Sequence, residues 1–173
     1  MTKTETILET KRLLLRKWTH ADGGALFDIM RDARVMRYLA DGKPFTLEKV
    51  REFLAWAEDY ERENGFCRWK VIEKSSGEII GSCGFARPHG TEEIELGYLF
   101  AQKHWGKGYA TEIAGAAADY GFKKLGFREI IAMTDVENTA SQKVLEKIGF
   151  ASRGIEVFNG EESLVFIKKK SDE

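Results

Sequence analysis

The sequence predicts a mixed α/β (α+β) domain, with a central, mostly antiparallel sheet of six to seven strands flanked by about four helices. Three observations lead there. Apolar residues keep helical spacing up to Asn64 and again after Tyr109. Between Phe66 and Phe100 the pattern changes to three short β-like runs joined by turn residues, and the stretch after Gly149 reads as a hairpin. With 173 residues and 43% apolar composition, the chain can bury a core as a single domain over residues 1–173, without disulfides or a structural metal.

Taken in order, Arg12-Leu13-Leu14-Leu15-Arg16 is a short strand. Thr19 and Asp22 then form a capping-box pattern ahead of Leu26, Ile29 and Met30. Thr46 caps a second helix carrying Val50, Phe53, Leu54 and Ala57, which Asn64-Gly65 stops. Strands follow over Phe66–Glu73, Ile79–Ala86 and Ile94–Phe100, with turns at Ser75-Ser76-Gly77 and Pro88-His89-Gly90, so they form an antiparallel meander. An alanine-rich helix from Tyr109 to Leu125, a strand from Glu129 to Val136 and a helix from Asn138 to Ile148 come next, then a hairpin over Ala151–Lys168. The strand-helix-strand unit from Ile94 to Val136 allows one parallel pair. In the Asn138 helix, Ala140, Val144 and Ile148 form the apolar stripe.

Charge narrows the classes of partner. Lys and Arg number 27 against 28 Asp and Glu, giving a net charge of -1, so no broad field favours nucleic acid or a membrane surface. The N-terminal stretch is charged (Lys3, Glu5, Glu9, Lys11, Arg12), and no apolar run is long enough to span a bilayer, so a cytoplasmic location is expected. Cys67 and Cys83 lie in apolar segments without ligand spacing and read as buried, reduced thiols rather than metal ligands or nucleophiles. His20, His89 and His104 are scattered and pair with neither cysteine at a useful spacing.

Chemistry concentrates in two segments. Glu95-Leu-Gly-Tyr-Leu-Phe100, then Trp105-Gly-Lys-Gly-Tyr-Ala-Thr-Glu112, is a strand, a glycine-rich loop and a helix start. Unpaired N–H groups at that start, exposed by Gly106 and Gly108 with Lys107 beside them, can hold an anion such as pyrophosphate. The loop lacks the G-x-x-x-x-G-K-S/T form of nucleotide hydrolases, and alone it could be a plain turn. Gly97 weakens pairing within its strand, so the sheet is expected to splay there and expose edge amides. The second segment begins with Asn138, a helix cap, and Ser141, three residues on and on the same side.

Strand, Trp105-Gly-Lys-Gly-Tyr-Ala, helix, strand and Asn138-x-x-Ser-x-x-Val-Leu-Glu-Lys-x-Gly-Phe together resemble the GNAT acetyltransferases, in particular their ribosomal-protein N-terminal acetyltransferase (RimJ/RimL-type) branch. Val35-Met-Arg-Tyr-Leu39 also resembles that branch, and the likeness runs from about Leu13 to about Phe166. The resemblance implies an N-acetyltransferase with acetyl-coenzyme A as cosubstrate and no metal. It implies that Tyr98, Leu99 and Phe100 present main-chain groups to the pantetheine arm. Trp105, Gly106, Lys107, Gly108, Tyr109, Ala110 and Thr111 would wrap the pyrophosphate, and Asn138 would lie near the reactive end.

Many relatives carry a Tyr that protonates the thiolate where this chain has Leu145, so Ser141 is the substitute acid, with water able to share the role. Glu95 is the candidate base, or else a paired strand carboxylate. A backbone N–H near Phe100 is the candidate donor to the thioester carbonyl. An α-amine of pKa ~8 is roughly a tenth neutral at pH 7, whereas a lysine-like amine near ~10.4 costs about 3 kcal/mol more to deprotonate. This favours a peptide N-terminal α-amine over a polyamine or aminoglycoside, although Asp41, Glu58, Asp59, Glu61 and Glu63 could draw a cation. A non-catalytic acetyl-coenzyme A sensor is the reading from another class. Monomer and homodimer are both compatible with the sequence.

Overall fold

The computed structural model describes residues 5–88, 90–158 and 160–171, so Lys3 and His89 lie outside the described residues. Among the described residues eight strands form one sheet: Thr6–Glu9 (β1), Leu13–Arg16 (β2), Arg68–Glu73 (β3), Ile79–Ala86 (β4), Glu95–Phe100 (β5), Glu129–Thr134 (β6), Ala151–Phe158 (β7) and Glu161–Lys169 (β8). Their order is β1-β2-β3-β4-β5-β6-β8-β7, and every pairing is antiparallel except β5 with β6. The five α-helices among the described residues are Gly23–Met30 (α1), Ala33–Met36 (α2), Leu47–Asn64 (α3), Tyr109–Lys123 (α4) and Thr139–Lys147 (α5).

Side-chain alternation along the strands divides the core between the two faces of the sheet. Trp69, Phe85 and Leu96 belong to one cluster with Ile113, Ala114 and Ala117 of α4. The alanines let that helix approach closely. A second cluster is built by Leu26, Met30, Met36, Val50 and Leu54 of α1–α3, and Leu99 of β5 packs against it. Local signals work where they were expected. Thr46 Oγ1 accepts from the Lys49 amide at 3.2 Å, and Gly65 ends α3 in the left-handed region at φ 78°. The Thr19–Asp22 box forms, but it opens a short 3-10 turn, His20–Asp22, before α1 begins.

Three details differ from expectation. β1 and α2 are additional, each only four residues long and too short for periodicity to reveal. In α5 the buried residue is Leu145, while Ala140 is exposed and Val144 and Ile148 are half-buried, because the helix turns its Leu145 side onto α4. Among the described residues, no helix is long and apolar enough to cross a membrane.

Candidate functional site

β5 and β6 part almost as soon as they meet. Their only register pair among the described residues is Glu95 with Ile131, held by the Ile131 amide donating to the Ile94 carbonyl at 2.8 Å. On its other side β5 pairs with β4 throughout, and the Ala101 amide donates to Ile80. Because main-chain groups alternate in direction along a strand, the N–H and C=O of Leu96, Tyr98 and Phe100 point into the gap. Those of Leu99 point at Ser82 in β4. Of the three residues expected to offer main-chain groups, Tyr98 and Phe100 turn theirs into the gap, whereas Leu99 turns its main chain to β4 and packs its side chain against the α1–α3 cluster. The Phe100 carbonyl already accepts from Trp105 Nε1 at 2.8 Å, which ties the start of the loop to the end of the strand and leaves the Phe100 amide as the free donor.

Beyond Trp105 the chain turns at Gly106 and Gly108, with φ 73° and 76°. Both lie in the left-handed region that glycine enters without strain. Gly108 is the N-cap of α4, and no side chain among the described residues caps that end. The amides of Tyr109, Ala110 and Thr111 thus face outward with the positive end of a 15-residue helix behind them, a fitting cradle for a pyrophosphate. Lys107 is exposed beside it.

A brace that the sequence did not disclose holds this loop. Glu112 accepts from Thr10 Oγ1 at 2.7 Å, from the Arg12 amide at 2.8 Å and from Arg12 Nε at 2.6 Å, while Arg12 Nη1 donates to the Lys107 carbonyl at 2.9 Å. The Arg12 guanidinium lies 4.4 Å from the centre of the Tyr109 ring, and the Tyr109 hydroxyl donates to Glu73 at 2.5 Å. The β1–β2 turn is thereby fastened to the first turn of α4.

At the far side of the gap, Asn138 Oδ1 accepts from the Ser141 amide at 3.2 Å, so Asn138 does cap α5; its Nδ2 makes no hydrogen bond among the described residues. The Ser141 hydroxyl meets the Tyr98 hydroxyl at 2.8 Å, bridging β5 and α5. Burial pushes the Tyr98 phenol up to about 12 despite that bond, so it stays protonated at neutral pH. Leu145 is fully buried in the core, one turn from Ser141 and with no hydroxyl to offer.

Glu95 sits where the two strands diverge. Its carboxylate accepts from Arg68 Nη2 at 2.7 Å. Burial raises its proton affinity above the ordinary carboxylate range, more than the Arg68 charge and hydrogen bond lower it. The registers Arg68–Gly84 and Gly84–Gly97 set one arginine and two glycines side by side on the α1–α3 face. At Gly84 the space a Cβ would need is taken by the Cys67 carbonyl and the Arg68 Cα, and the Arg68 side chain fills the trough at Gly97. Gly97 makes room for this guanidinium, since a Cβ there would lie 2.7 Å from Arg68 Cζ.

Both cysteines are buried and reduced, and burial pushes each thiol to about 12. No group of side chains that could hold a metal occurs among the described residues. Three of the five acidic residues around α3 are already paired with cations, Asp41 with Lys49, Asp59 with Arg62 and Glu61 with Lys17, and Glu58 lies 3.2 Å from His20 Nε2.

The family model for an acetyltransferase (GNAT) domain matches residues 12–151. YkkB of Bacillus subtilis (strain 168) is 38% identical over 149 residues, covering 84% of this chain and 85% of that protein. The spermidine N(1)-acetyltransferase of Escherichia coli (strain K12) is 32% identical over 142 residues, covering 81% and 73%. Among solved structures, a GNAT-family acetyltransferase from Bacillus anthracis superposes with a TM-score of 0.81 at 30% identity, covering 94% of this chain and 97% of that one.

Proposed function

Since the chain belongs to the GNAT acetyltransferase family, an acetyl-coenzyme A-dependent N-acetyltransferase activity follows, and we propose that its acceptor is a peptide N-terminal α-amine that attacks directly in a ternary complex. One observation carries this reading. Glu95 and Tyr98 lie on opposite faces of the same strand, at a gap edged by free main-chain groups. An amine approaching from the α1–α3 face meets a carboxylate, and a thioester entering from the α4 side meets the Tyr98–Ser141 hydroxyls.

Acetyl-coenzyme A supplies the activated acyl carbon. The outward amides of Tyr109, Ala110 and Thr111, Lys107 and the turn at Gly106 and Gly108 would hold its pyrophosphate. The free edges of Tyr98 and Phe100 and Asn138 Nδ2 line the path of its arm, with Trp105 fixing the loop and Leu99 backing the strand from the α1–α3 face. The Phe100 amide polarises the acyl carbonyl. Glu95, directly or through water, accepts the proton that the amine loses as the N–C bond forms. As the C–S bond breaks, Ser141, backed by Tyr98, donates to the departing sulfur and recovers its proton from solvent. The raised proton affinity of Glu95 brings it closer to the pKa of an α-amine, which shortens the uphill step.

The spermidine acetyltransferase among the relatives argues for a polyamine acceptor. Weighing against it, the acidic residues near α3 are mostly engaged by bases, so their charges do not add into a cation-binding groove. A competition experiment decides between the two. A peptide with a free N-terminus and no lysine is mixed with an equal concentration of spermidine, and the products are identified by mass spectrometry. Acetyl-peptide as the main product is expected; acetylspermidine as the main product would refute the acceptor assignment.

A further inference from the structure

Arg68 holds more positive charge than its surroundings use. Among the described residues only Nη2 is engaged, by Glu95. Nε is buried with no partner, and Nη1 makes no hydrogen bond among the described residues although it is not among the buried unpartnered atoms, so it opens to solvent. The side chain is 32% exposed against 14% for Glu95. Structural neutralisation of Glu95 alone would not require this geometry, in which the side chain reaches from β3 past β4 to lie over Gly97 and bring the guanidinium to the point where β5 and β6 part. An arginine with donors to spare, fixed in a trough, is suited to take a carboxylate.

The pair also presents a charge pattern. A positive and a negative group lie 2.7 Å apart at the mouth of the gap. A zwitterion whose amine and carboxylate are separated by only a few bonds presents the complementary pattern. The amine would lie at Glu95, where it must lose its proton, with the carboxylate on the open edge of Arg68. A polycation has nothing to place there and meets a like charge.

We infer that Arg68 is an acceptor-recognition residue whose open edge binds a carboxylate close to the reacting α-amine. This rests on the α-amine reading above and narrows it to acceptors with an anionic group beside the amine. The carboxylate has two sources: the α-carboxylate of a free amino acid, or an acidic side chain on the first residue of a peptide.

The test measures coenzyme A thiol release with two matched pairs, alanine against alaninamide and an Asp-initiated against an Asn-initiated tripeptide amide. Wild-type protein is compared with Arg68→Gln and Arg68→Lys. Taking each variant's carboxylate-to-neutral ratio of kcat/KM against wild type cancels differences in amine pKa. In one pair, Arg68→Gln is expected to lower that ratio by about tenfold or more through KM, as loss of a charge-assisted hydrogen bond requires. The responding pair identifies the source of the carboxylate. Arg68→Lys, which keeps the charge but not the fork, should fall between, and it carries the test if the glutamine variant does not fold. Equal losses on both members of each pair would mean that Arg68 only positions Glu95, and would overturn the inference while leaving the α-amine reading intact. Absence of thiol release from all four acceptors, by wild-type protein that binds acetyl-coenzyme A, would overturn both.

Discussion

Replacing Gly97 by alanine fills the trough that holds the Arg68 guanidinium. A Cβ there would lie 2.7 Å from Arg68 Cζ and 2.9 Å from its Nε and Nη2. The obstructed atoms are the far end of a flexible side chain, so the steric cost itself is small: the guanidinium swings away and the backbone stays. The loss is the ion pair. With Arg68 about one third exposed and Glu95 mostly buried, its value lies between that of a surface pair, about 0–1 kcal/mol, and that of a broken buried pair, about 3–5 kcal/mol. About 2 kcal/mol is expected, most of it the penalty of leaving Glu95 charged and unpaired.

The pH dependence follows from the same cause. Glu95 already has a raised folded pKa, and losing Arg68 raises it further. The variant's deficit is therefore full where Glu95 would be ionised and shrinks as pH falls through its folded pKa toward the unfolded range near ~4.3. Urea unfolding at neutral pH and near pH 5 measures both effects. A deficit of more than about 4 kcal/mol that does not change with pH would mean a backbone clash. No deficit at all would mean that the pair contributes nothing; either result refutes the reasoning.

Three further outcomes are expected. Ser141→Ala and Tyr98→Phe should each lower kcat by about ten- to a hundredfold with little change in KM for acetyl-coenzyme A, and because the hydroxyls act as a unit the double variant should be scarcely worse than the poorer single one; multiplicative losses would deny the relay. Protonation of the acceptor amine gives kcat/KM one acidic limb, and protonation of Glu95 at its raised pKa should steepen that limb at lower pH; Glu95→Gln should remove the steepening and leave the amine's limb alone, whereas steepening that persists would assign the base elsewhere. Glu112→Ala removes three hydrogen bonds at once, so thermal unfolding should report a loss of about 1.5–3 kcal/mol and KM for acetyl-coenzyme A should rise; an unchanged KM would show that the brace is irrelevant to the loop.

The glycine-rich loop, the start of α4, the Asn138 cap and the splay at the β5 strand were legible in the sequence because each is written in consecutive residues. Gly106 and Gly108 carry positive φ, and Asn138 caps its own helix. The remaining features depend on register and tertiary placement. Arg68 reaches Glu95 only because Gly97, two strands away, leaves room for its guanidinium, and 27 residues separate the partners. The contact between the Tyr98 and Ser141 side chains spans 43 residues, and the Glu112–Arg12 brace spans 100. Gly97 shows the limit of local reading. Along the strand its absent side chain reads only as weakened pairing, and it is the chain's own guanidinium that fills the space.

The most direct test of the account is to titrate the protein with acetyl-coenzyme A by calorimetry, then add a lysine-free peptide in two forms, N-terminus free and N-terminus blocked, and follow thiol release. The account predicts saturable binding, with thiol released only by the free form and the acetyl group recovered on its α-nitrogen. Binding without release from either form would contradict the assignment of the acceptor, and absence of binding would contradict the site itself.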